Sequence, residues 1–182
     1  MKYGIDLDGV LADFNRGFTI LMNQVAGTRV TNPKLDCWDW PNKYWPKADI
    51  DKAWVVIRGN PDWWRQLQPY EPSRFHPLQQ ASLQGHELYF LTQRPGPGVK
   101  EATESWLISN GIYRPTVLMT PDKGPVAAGL HLDALVDDRP ENIHDVLNAT
   151  LHTKCFIWDA PWNEEIYWPF VKRIRRMEEM FQ

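Results

Sequence analysis

Short apolar runs alternate with stretches of helical periodicity along most of this chain, and few folds accommodate such an alternation. Residues 99–110 place their apolar side chains on one helical face, and residues 141–151 and 169–181 are also predicted to be helical. Parallel strands joined by helical crossovers produce this arrangement. We therefore expect an α/β fold, a Rossmann-like open parallel sheet with helices on both faces, whose strands cover residues 3–7, 88–91, 116–119, 134–136 and 155–158.

About eighty residues separate the first predicted strand from the second, whereas one crossover needs roughly a dozen. Prolines interrupt residues 32–72 every few positions, and the stretch holds six of the ten tryptophans. Short helices and turns with an aromatic core fit that composition. We predict a small, mainly helical cap at residues 16–74, inserted into a catalytic core formed by residues 1–15 and 75–182.

Charge and composition exclude some classes of partner. The chain carries 20 Lys and Arg against 23 Asp and Glu, a formal charge of −3, which argues against binding of long nucleic acid or an anionic membrane. The basic run at 172–176 is interpreted as a solvated helix face because Glu178 and Glu179 follow it. No apolar run approaches the roughly 18 residues of a membrane helix. Two distant cysteines, Cys37 and Cys155, indicate free thiols and a cytoplasmic protein, and the oligomeric state stays open, a homodimer included.

Polar side chains follow four of the predicted strands. Each group taken alone has an ordinary explanation as a turn residue, a strand-end hydroxyl, a surface charge or a helix cap. Carboxyl ends of parallel strands share one edge of the sheet, where active sites of open α/β folds lie. Together the groups therefore predict an active site at that edge, formed by Asp6 and Asp8, Thr92 with Gln93 and Arg94, Lys123, and Asp137 with Asp138.

These motifs resemble the haloacid dehalogenase superfamily of aspartate-nucleophile phosphatases, whose four motifs match Asp6-x-Asp8, Thr92, Lys123 and Asp137-Asp138-x-x-x-Asn142. Within that superfamily, residues 6–14, 122–123, 137–140 and 158–163 resemble the 5'(3')-deoxyribonucleotidase family. The resemblance implies a Mg²⁺-dependent phosphatase that removes phosphate from deoxynucleoside monophosphates through an aspartyl phosphate, with a helical cap inserted after the first motif.

The resemblance also implies a role for each catalytic residue. Asp6 would be the nucleophile, and Asp8 would protonate the leaving sugar oxygen and later accept a proton from water. Thr92 would hold a phosphoryl oxygen, together with backbone N–H groups near Gln93. Lys123 would balance the charge of the phosphate ester.

Oxygen ligands for Mg²⁺ come from the same motifs. The resemblance implies Asp6, the backbone carbonyl of Asp8, and one member of the acid pair. The four-residue step from Asp138 to Asn142 favours Asp138 over Asp137 as the direct ligand.

Substrate contacts are predicted at Phe14 and Phe18, which lie one turn apart on a helix expected at residues 13–25 with Asp13 as its N-cap, and at Gln93 and Arg94. Core packing is the alternative for both phenylalanines and for the tryptophans.

Two features depart from the family pattern. Pro121 stands where the family has a basic residue, and Gln93-Arg94 follows Thr92 in place of a small residue. Another small phosphate ester or a nucleic-acid phosphate end is therefore the alternative substrate. A phospho-accepting signalling domain is disfavoured because its acceptor would lie on a middle strand without an inserted cap.

Overall fold

Six parallel strands form one sheet in the computed structural model, which describes residues 1–182. Their order across the sheet is β3-β2-β1-β4-β5-β6, and every neighbouring pair is parallel. The first five strands match the predicted apolar runs to within one residue at each end, which confirms the open parallel sheet. The strands are β1 (Lys2–Asp6), β2 (Glu87–Thr92), β3 (Thr116–Met119), β4 (Ala134–Asp137), β5 (Lys154–Trp158) and β6 (Lys172–Ile174).

Seven α-helices accompany the sheet: α1 (Phe14–Ala26), α2 (Lys47–Gly59), α3 (Asp62–Arg65), α4 (Phe75–Leu83), α5 (Val99–Ser109), α6 (Lys123–Leu130) and α7 (Pro140–Ala149). Three 3-10 helices lie at Trp40–Lys43, Pro72–Arg74 and Met177–Phe181. Helices α5 and α7 confirm two of the predicted helical stretches. None of the helices has both the length and the apolarity needed to cross a bilayer.

Side chains of the central strands alternate between two apolar clusters, as the period of two along a strand requires. Phe90, Val136 and Phe156 join the larger cluster, into which α4 and α5 pack. Their strand neighbours Leu91, Leu135 and Cys155 join the smaller one, into which α6 and α7 pack. Helices therefore cover both faces of the sheet. Cys155 and Cys37 are free thiols, as expected.

The long connection from β1 to β2 contains α1 to α4 and two of the 3-10 helices. Helix α1 begins after Asp13, whose Oδ1 accepts from the backbone N–H of Arg16 at 3.1 Å, so the predicted N-cap is present. Buried side chains of this connection, including Trp40 and Trp64, belong to the same 31-residue cluster as the strand residues. The connection and the sheet thus share one apolar core.

The end of the chain differs from the predicted helix at 169–181. Residues Lys172–Ile174 form β6, which pairs with the free edge of β5, and only Met177–Phe181 is helical, as a 3-10 helix. Ile174 is buried, while Arg173 donates to Asp159 and to the backbone carbonyl of Ile166. Pairing with an open sheet edge outweighs helical propensity here. The first three residues of the basic run at 172–176 consequently form an edge strand rather than part of a helix face.

Candidate active site

The carboxyl ends of β1, β2 and β4 meet around a cavity of about 260 Å³. Asp6 ends β1, Thr92 ends β2 and Asp137 ends β4, while Lys123 opens α6 directly after β3. Parallel register brings these positions together, because Asp6 lies opposite Leu91, one residue before Thr92, and Ile5 lies opposite Val136. Sheet topology therefore assembles side chains that are up to 131 positions apart in sequence.

A tight turn follows β1 and exposes its backbone to the cavity. The N–H groups of Leu11 and Ala12 both donate to the Leu7 carbonyl, at 2.8 and 2.7 Å. Gly9 adopts φ of 100°, a conformation that side chains with a Cβ rarely adopt. A Cβ at this position would overlap Oδ2 of Asp138. Gly9 thus allows the Asp138 carboxylate to approach the backbone of the first motif.

Lys123 connects the first and fourth motifs. Its ammonium group donates to Asp6 Oδ1 and to Asp137 Oδ2, and all three side chains are buried. Burial lowers the pKa of Lys123, but the Asp137 and Asp6 carboxylates outweigh burial, and the net shift is upward. Lys123 therefore keeps its positive charge inside the site.

The two acids of the fourth motif have different surroundings. Asp137 accepts from Lys123, from the backbone N–H of Arg139 at 2.8 Å and from Asn142 Nδ2 at 3.0 Å. Asp138 is also buried, yet no protein donor reaches its Oδ2. Buried polar atoms nearly always have partners. The free oxygen of Asp138 is therefore available to a group that the protein itself does not supply.

Asp8 is hydrogen-bonded to Arg94 on the side that faces away from the cavity. Arg94 Nη2 donates to Asp8 Oδ1 at 2.8 Å, and Nε donates to Asp8 Oδ2 at 2.9 Å. Thr92 Oγ1 adds a third donor to Oδ2 at 3.1 Å. The carboxylate of Asp8 remains at the cavity wall, whereas the Arg94 side chain is fully buried.

Burial of several acids shifts their ionisation. Burial, opposed by Lys123 and reinforced by Asp137 and Asp8, raises the pKa of Asp6 to about 8. Burial, together with the charges of Asp6 and Asp137, raises the pKa of Asp138 well above its ordinary value. Without an added cation, the site disfavours full ionisation of its own carboxylates.

The donor set fits a hard divalent cation. Carboxylate oxygens of Asp6, Asp137 and Asp138 lie within 4.8 Å of one another. When ionised, these three groups and Lys123 sum to two negative charges, which a divalent ion would balance. All the donors are oxygens, the ligand type that Mg²⁺ prefers, and Asp138 Oδ2 is unpartnered.

Aromatic rings form the upper wall of the cavity. Phe14 stacks on Phe18 at 5.4 Å between ring centroids and on Trp54 at 5.9 Å. At the rim, the rings of Trp38 and Trp162 pack edge to face. The guanidinium carbon of Arg139 lies 4.8 Å from the centroid of the Trp38 ring. The members of this wall are Phe14, Phe18, Trp38, Trp40, Trp54, Trp64 and Trp162.

Replacement of Gly9 by alanine tests the close approach of Asp138. We expect Gly9→Ala to displace that carboxylate, to weaken Mg²⁺ binding, and to lower Tm by roughly 2–8 °C, because a positive φ costs about 1–2 kcal/mol with a Cβ. Gly129→Ala is the matched control, since Gly129 lies in α6 with nothing near its Cβ position. Mg²⁺ titration by calorimetry reads out the site, and wild-type affinity in Gly9→Ala contradicts the prediction.

A family model described as 5' nucleotidase, deoxy (pyrimidine), cytosolic type C protein (NT5C) matches residues 1–173. The chain belongs to this family. The match includes all four motifs of the cavity and extends over nearly the whole of the given sequence.

Individual relatives agree with that membership. A protein from Oceanobacillus iheyensis, provisionally named as a nucleotidase, is 32% identical over 102 residues. The match covers 52% of this chain and 52% of that protein, so the chain spans about half the length of the curated relative that it matches.

Solved structures show the same fold in haloacid dehalogenase-like hydrolases. One from Streptococcus pneumoniae superimposes with a TM-score of 0.63 at 13% identity, covering 100% of this chain and 98% of the other. A haloacid dehalogenase superfamily hydrolase of subfamily IA from Geobacter sulfurreducens superimposes with a TM-score of 0.61 at 12% identity. The superposition covers 99% of this chain and 97% of the other.

The structure brings most of the predicted site residues together. Eight of them line one cavity: Asp6, Asp8, Phe14, Phe18, Thr92, Gln93, Lys123 and Asp138. Asp137 and Arg94 lie behind that wall, where Asp137 contacts Lys123 and Arg94 contacts Asp8. Pro121 also lines the cavity.

Sequence reasoning did not identify two contributors. Arg139 reaches the rim of the cavity, and Asn163 Nδ2 donates to the backbone carbonyl of Asp138 at 2.6 Å. Both residues lie inside the segments that carry the family resemblance, at 137–140 and 158–163. That position was the only signal in the sequence, because neither residue type is unusual at a loop.

Proposed function

We propose that this protein is a Mg²⁺-dependent phosphatase that hydrolyses deoxynucleoside monophosphates through an aspartyl phosphate. One observation carries the proposal: Asp6, paired with Lys123, lies beside the unpartnered Oδ2 of Asp138 at the base of an aromatic cavity. Membership of the nucleotidase family supports the reaction class, and the family description supports a deoxynucleotide and a cytosolic location.

Asp6, Asp138 and the backbone carbonyl of Asp8 would hold Mg²⁺. When bound, the ion would offset the repulsion between the Asp6 carboxylate and the substrate phosphate. Asp138 is preferred over Asp137 because Asp137 already accepts from Lys123, Arg139 and Asn142. In this proposal Asp137 fixes Lys123 and stays outside the ligand set.

Asp6 acts as the nucleophile, and its Oδ2 has no protein donor. The carboxylate attacks phosphorus, and the bond from phosphorus to the sugar oxygen breaks with its electron pair on that oxygen. Asp8 gives its proton to the same oxygen, so a neutral alcohol leaves. In the second step water attacks phospho-Asp6, Asp8 takes the water proton, and inorganic phosphate departs with Asp6 regenerated.

Donors around the cavity floor hold the transferring group. The Thr92 hydroxyl at the end of β2 donates to Asp8 and would have to rotate to donate to a phosphoryl oxygen. Lys123 supplies the fixed positive charge, and the backbone N–H of Gln93 follows the end of β2. Such donors stabilise the charge on the equatorial oxygens of the phosphoryl group without reorganising during the reaction.

Residues 16–74 are proposed to act as the cap that holds the nucleoside. Phe14 and Phe18 present stacked rings at the cavity wall, and a stacked base gains about 1–3 kcal/mol in nucleic-acid complexes. The proposed partner is therefore a small phosphate ester with a planar group, and neither a membrane nor a long nucleic acid.

A panel of phosphate esters tests the substrate class. Deoxynucleoside monophosphates should show the highest kcat/KM, above paired ribonucleotides, sugar phosphates and a phosphorylated oligonucleotide. Phe14→Ala should lower kcat/KM for the nucleotide by roughly 5- to 150-fold through lost stacking, while Phe170→Ala, at an 87% exposed phenylalanine, should not. If a sugar phosphate or the oligonucleotide is hydrolysed best, the nucleotide assignment is wrong and the phosphatase assignment survives.

A further inference from the structure

Arg94 occupies a position that a substrate cannot reach. Its side chain has no exposed surface, although Thr92 and Gln93 immediately before it line the cavity. The carboxylate of Asp8 stands between the guanidinium group and the cavity and accepts from both Nε and Nη2. The sequence alone suggested a substrate contact for Arg94, but its side chain is buried and hydrogen-bonded to Asp8 and Thr103.

The guanidinium group is itself fixed on its other sides. Nη1 donates to Thr103 Oγ1 at 3.1 Å, and that hydroxyl donates in turn to the Val99 carbonyl within α5. The ring of Trp64 lies 4.8 Å from the guanidinium carbon, and the ring of Trp106 lies 5.7 Å away. Because Arg94 is fixed in this way and binds both carboxylate oxygens of Asp8, the Asp8 side chain has little rotational freedom.

We propose that Arg94 is a positioning residue that aims Asp8 at the leaving oxygen and does not bind the substrate. The inference rests on the proposed function, because it assigns Arg94 a task in the proton transfers of Asp8. Trp64 belongs to α3 in the connection between β1 and β2, so the connection also helps to set the direction of the acid.

The chemistry of the leaving group separates this role from a general structural one. A sugar alkoxide needs a proton from Asp8 as its bond to phosphorus breaks, whereas p-nitrophenolate is stable enough to leave without one. Misdirected Asp8 should therefore slow transfer from a nucleotide and leave transfer from p-nitrophenyl phosphate nearly unchanged. Hydrolysis of phospho-Asp6 also uses Asp8, so the first step must be measured by itself.

The experiment compares wild type, Arg94→Lys and Arg94→Ala by rapid mixing with the two substrates. We expect single-turnover cleavage of the nucleotide to slow by roughly 10- to 100-fold, while the p-nitrophenol burst rate changes less than about threefold. Millimolar guanidinium should partly restore nucleotide cleavage in Arg94→Ala and do nothing for Asp8→Asn. Arg114→Lys is the control, since Arg114 is exposed and stacks on Tyr113 outside the cavity, and it should leave the rates with both substrates unchanged.

Failure of the proposed phosphatase function and failure of the positioning role of Arg94 give different results. A wild-type protein that cleaves no phosphate monoester overturns the proposed function. With an active wild type, equal slowing of both substrates in folded Arg94 variants, or a raised KM at constant kcat, overturns the positioning role. Thermal melts verify folding, and Arg94→Lys keeps a cation beside Asp8 if Arg94→Ala does not fold.

Discussion

Asp6→Asn should abolish turnover, with a loss on the order of 10³-fold or more, because an amide is a poor nucleophile of nearly the same shape. The fold should survive the change. Lys123 retains Asp137 as an ion-pair partner, and the substitution removes a buried acid whose pKa burial raises to about 8. Tm of Asp6→Asn should therefore equal or exceed that of the wild type.

Phosphate release measured beside a thermal melt checks this prediction. Asp51→Asn serves as the matched control, since Asp51 is an exposed carboxylate on α2. Intact-mass spectra of Asp8→Asn mixed with p-nitrophenyl phosphate, whose leaving group needs no proton, should show one added phosphoryl group, and the double variant that also carries Asp6→Asn should show none. More than a few per cent of wild-type activity in Asp6→Asn argues against the covalent route.

Removal of divalent ions should abolish activity as completely as the loss of the nucleophile, and added Mg²⁺ should restore it. Calcium should inhibit, because its larger and looser coordination shell displaces the in-line geometry. Binding at about 100 times Kd adds about 2.7 kcal/mol to the free energy of unfolding, which corresponds to roughly 5–10 °C in Tm. Asp138→Asn should need far more Mg²⁺ for the same effect.

The gain in Tm from Mg²⁺ should grow with pH. In the metal-free protein, burial raises the pKa of Asp6 to about 8 and shifts the pKa of Asp138 in the same direction, whereas both groups have a pKa near 4 in the unfolded chain. The free energy of unfolding of the metal-free protein therefore falls as pH rises between those values. A bound cation stabilises the ionised carboxylates and removes that loss. Melts with EDTA or Mg²⁺ at pH 5.5 and 8 measure the effect, and an equal gain at both contradicts it.

The strand segments were predictable because each is a short apolar run in its own stretch of sequence. Apolar runs and helical periodicity gave five strands and the helices α5 and α7, and Asp13 marked the start of α1. The helix predicted at 169–181 is wrong because β6 owes its existence to the open edge of β5. No local pattern in residues 172–174 reports the presence of a distant strand edge.

The site was predictable as a set of residues but not as a set of contacts. Sequence order and strand ends identified six of the side chains that line the cavity, and the spacing along the predicted helix at residues 13–25 added Phe14 and Phe18. The sequence distinguished the two adjacent acids only by the four-residue step from Asp138 to Asn142. The structure adds that Asp137 accepts several hydrogen bonds whereas Oδ2 of Asp138 accepts none. Likewise, nothing in the sequence shows that the Arg94 side chain turns away from the cavity toward Thr103.

The apolar core continues without a break from the sheet into the β1–β2 connection. A hinge motion that separates the connection from the sheet would therefore have to open this core. Such an opening would expose Phe18, Met22 and Trp64, which are all at most 1% exposed. Exposure to water costs about 1.5–3 kcal/mol of free energy for each large side chain. We therefore expect ligand exchange to involve the rim around Trp38, which is already 50% exposed. On this expectation, the width of the cavity opening at that rim limits the size of the ester that can enter and the rate at which its products leave.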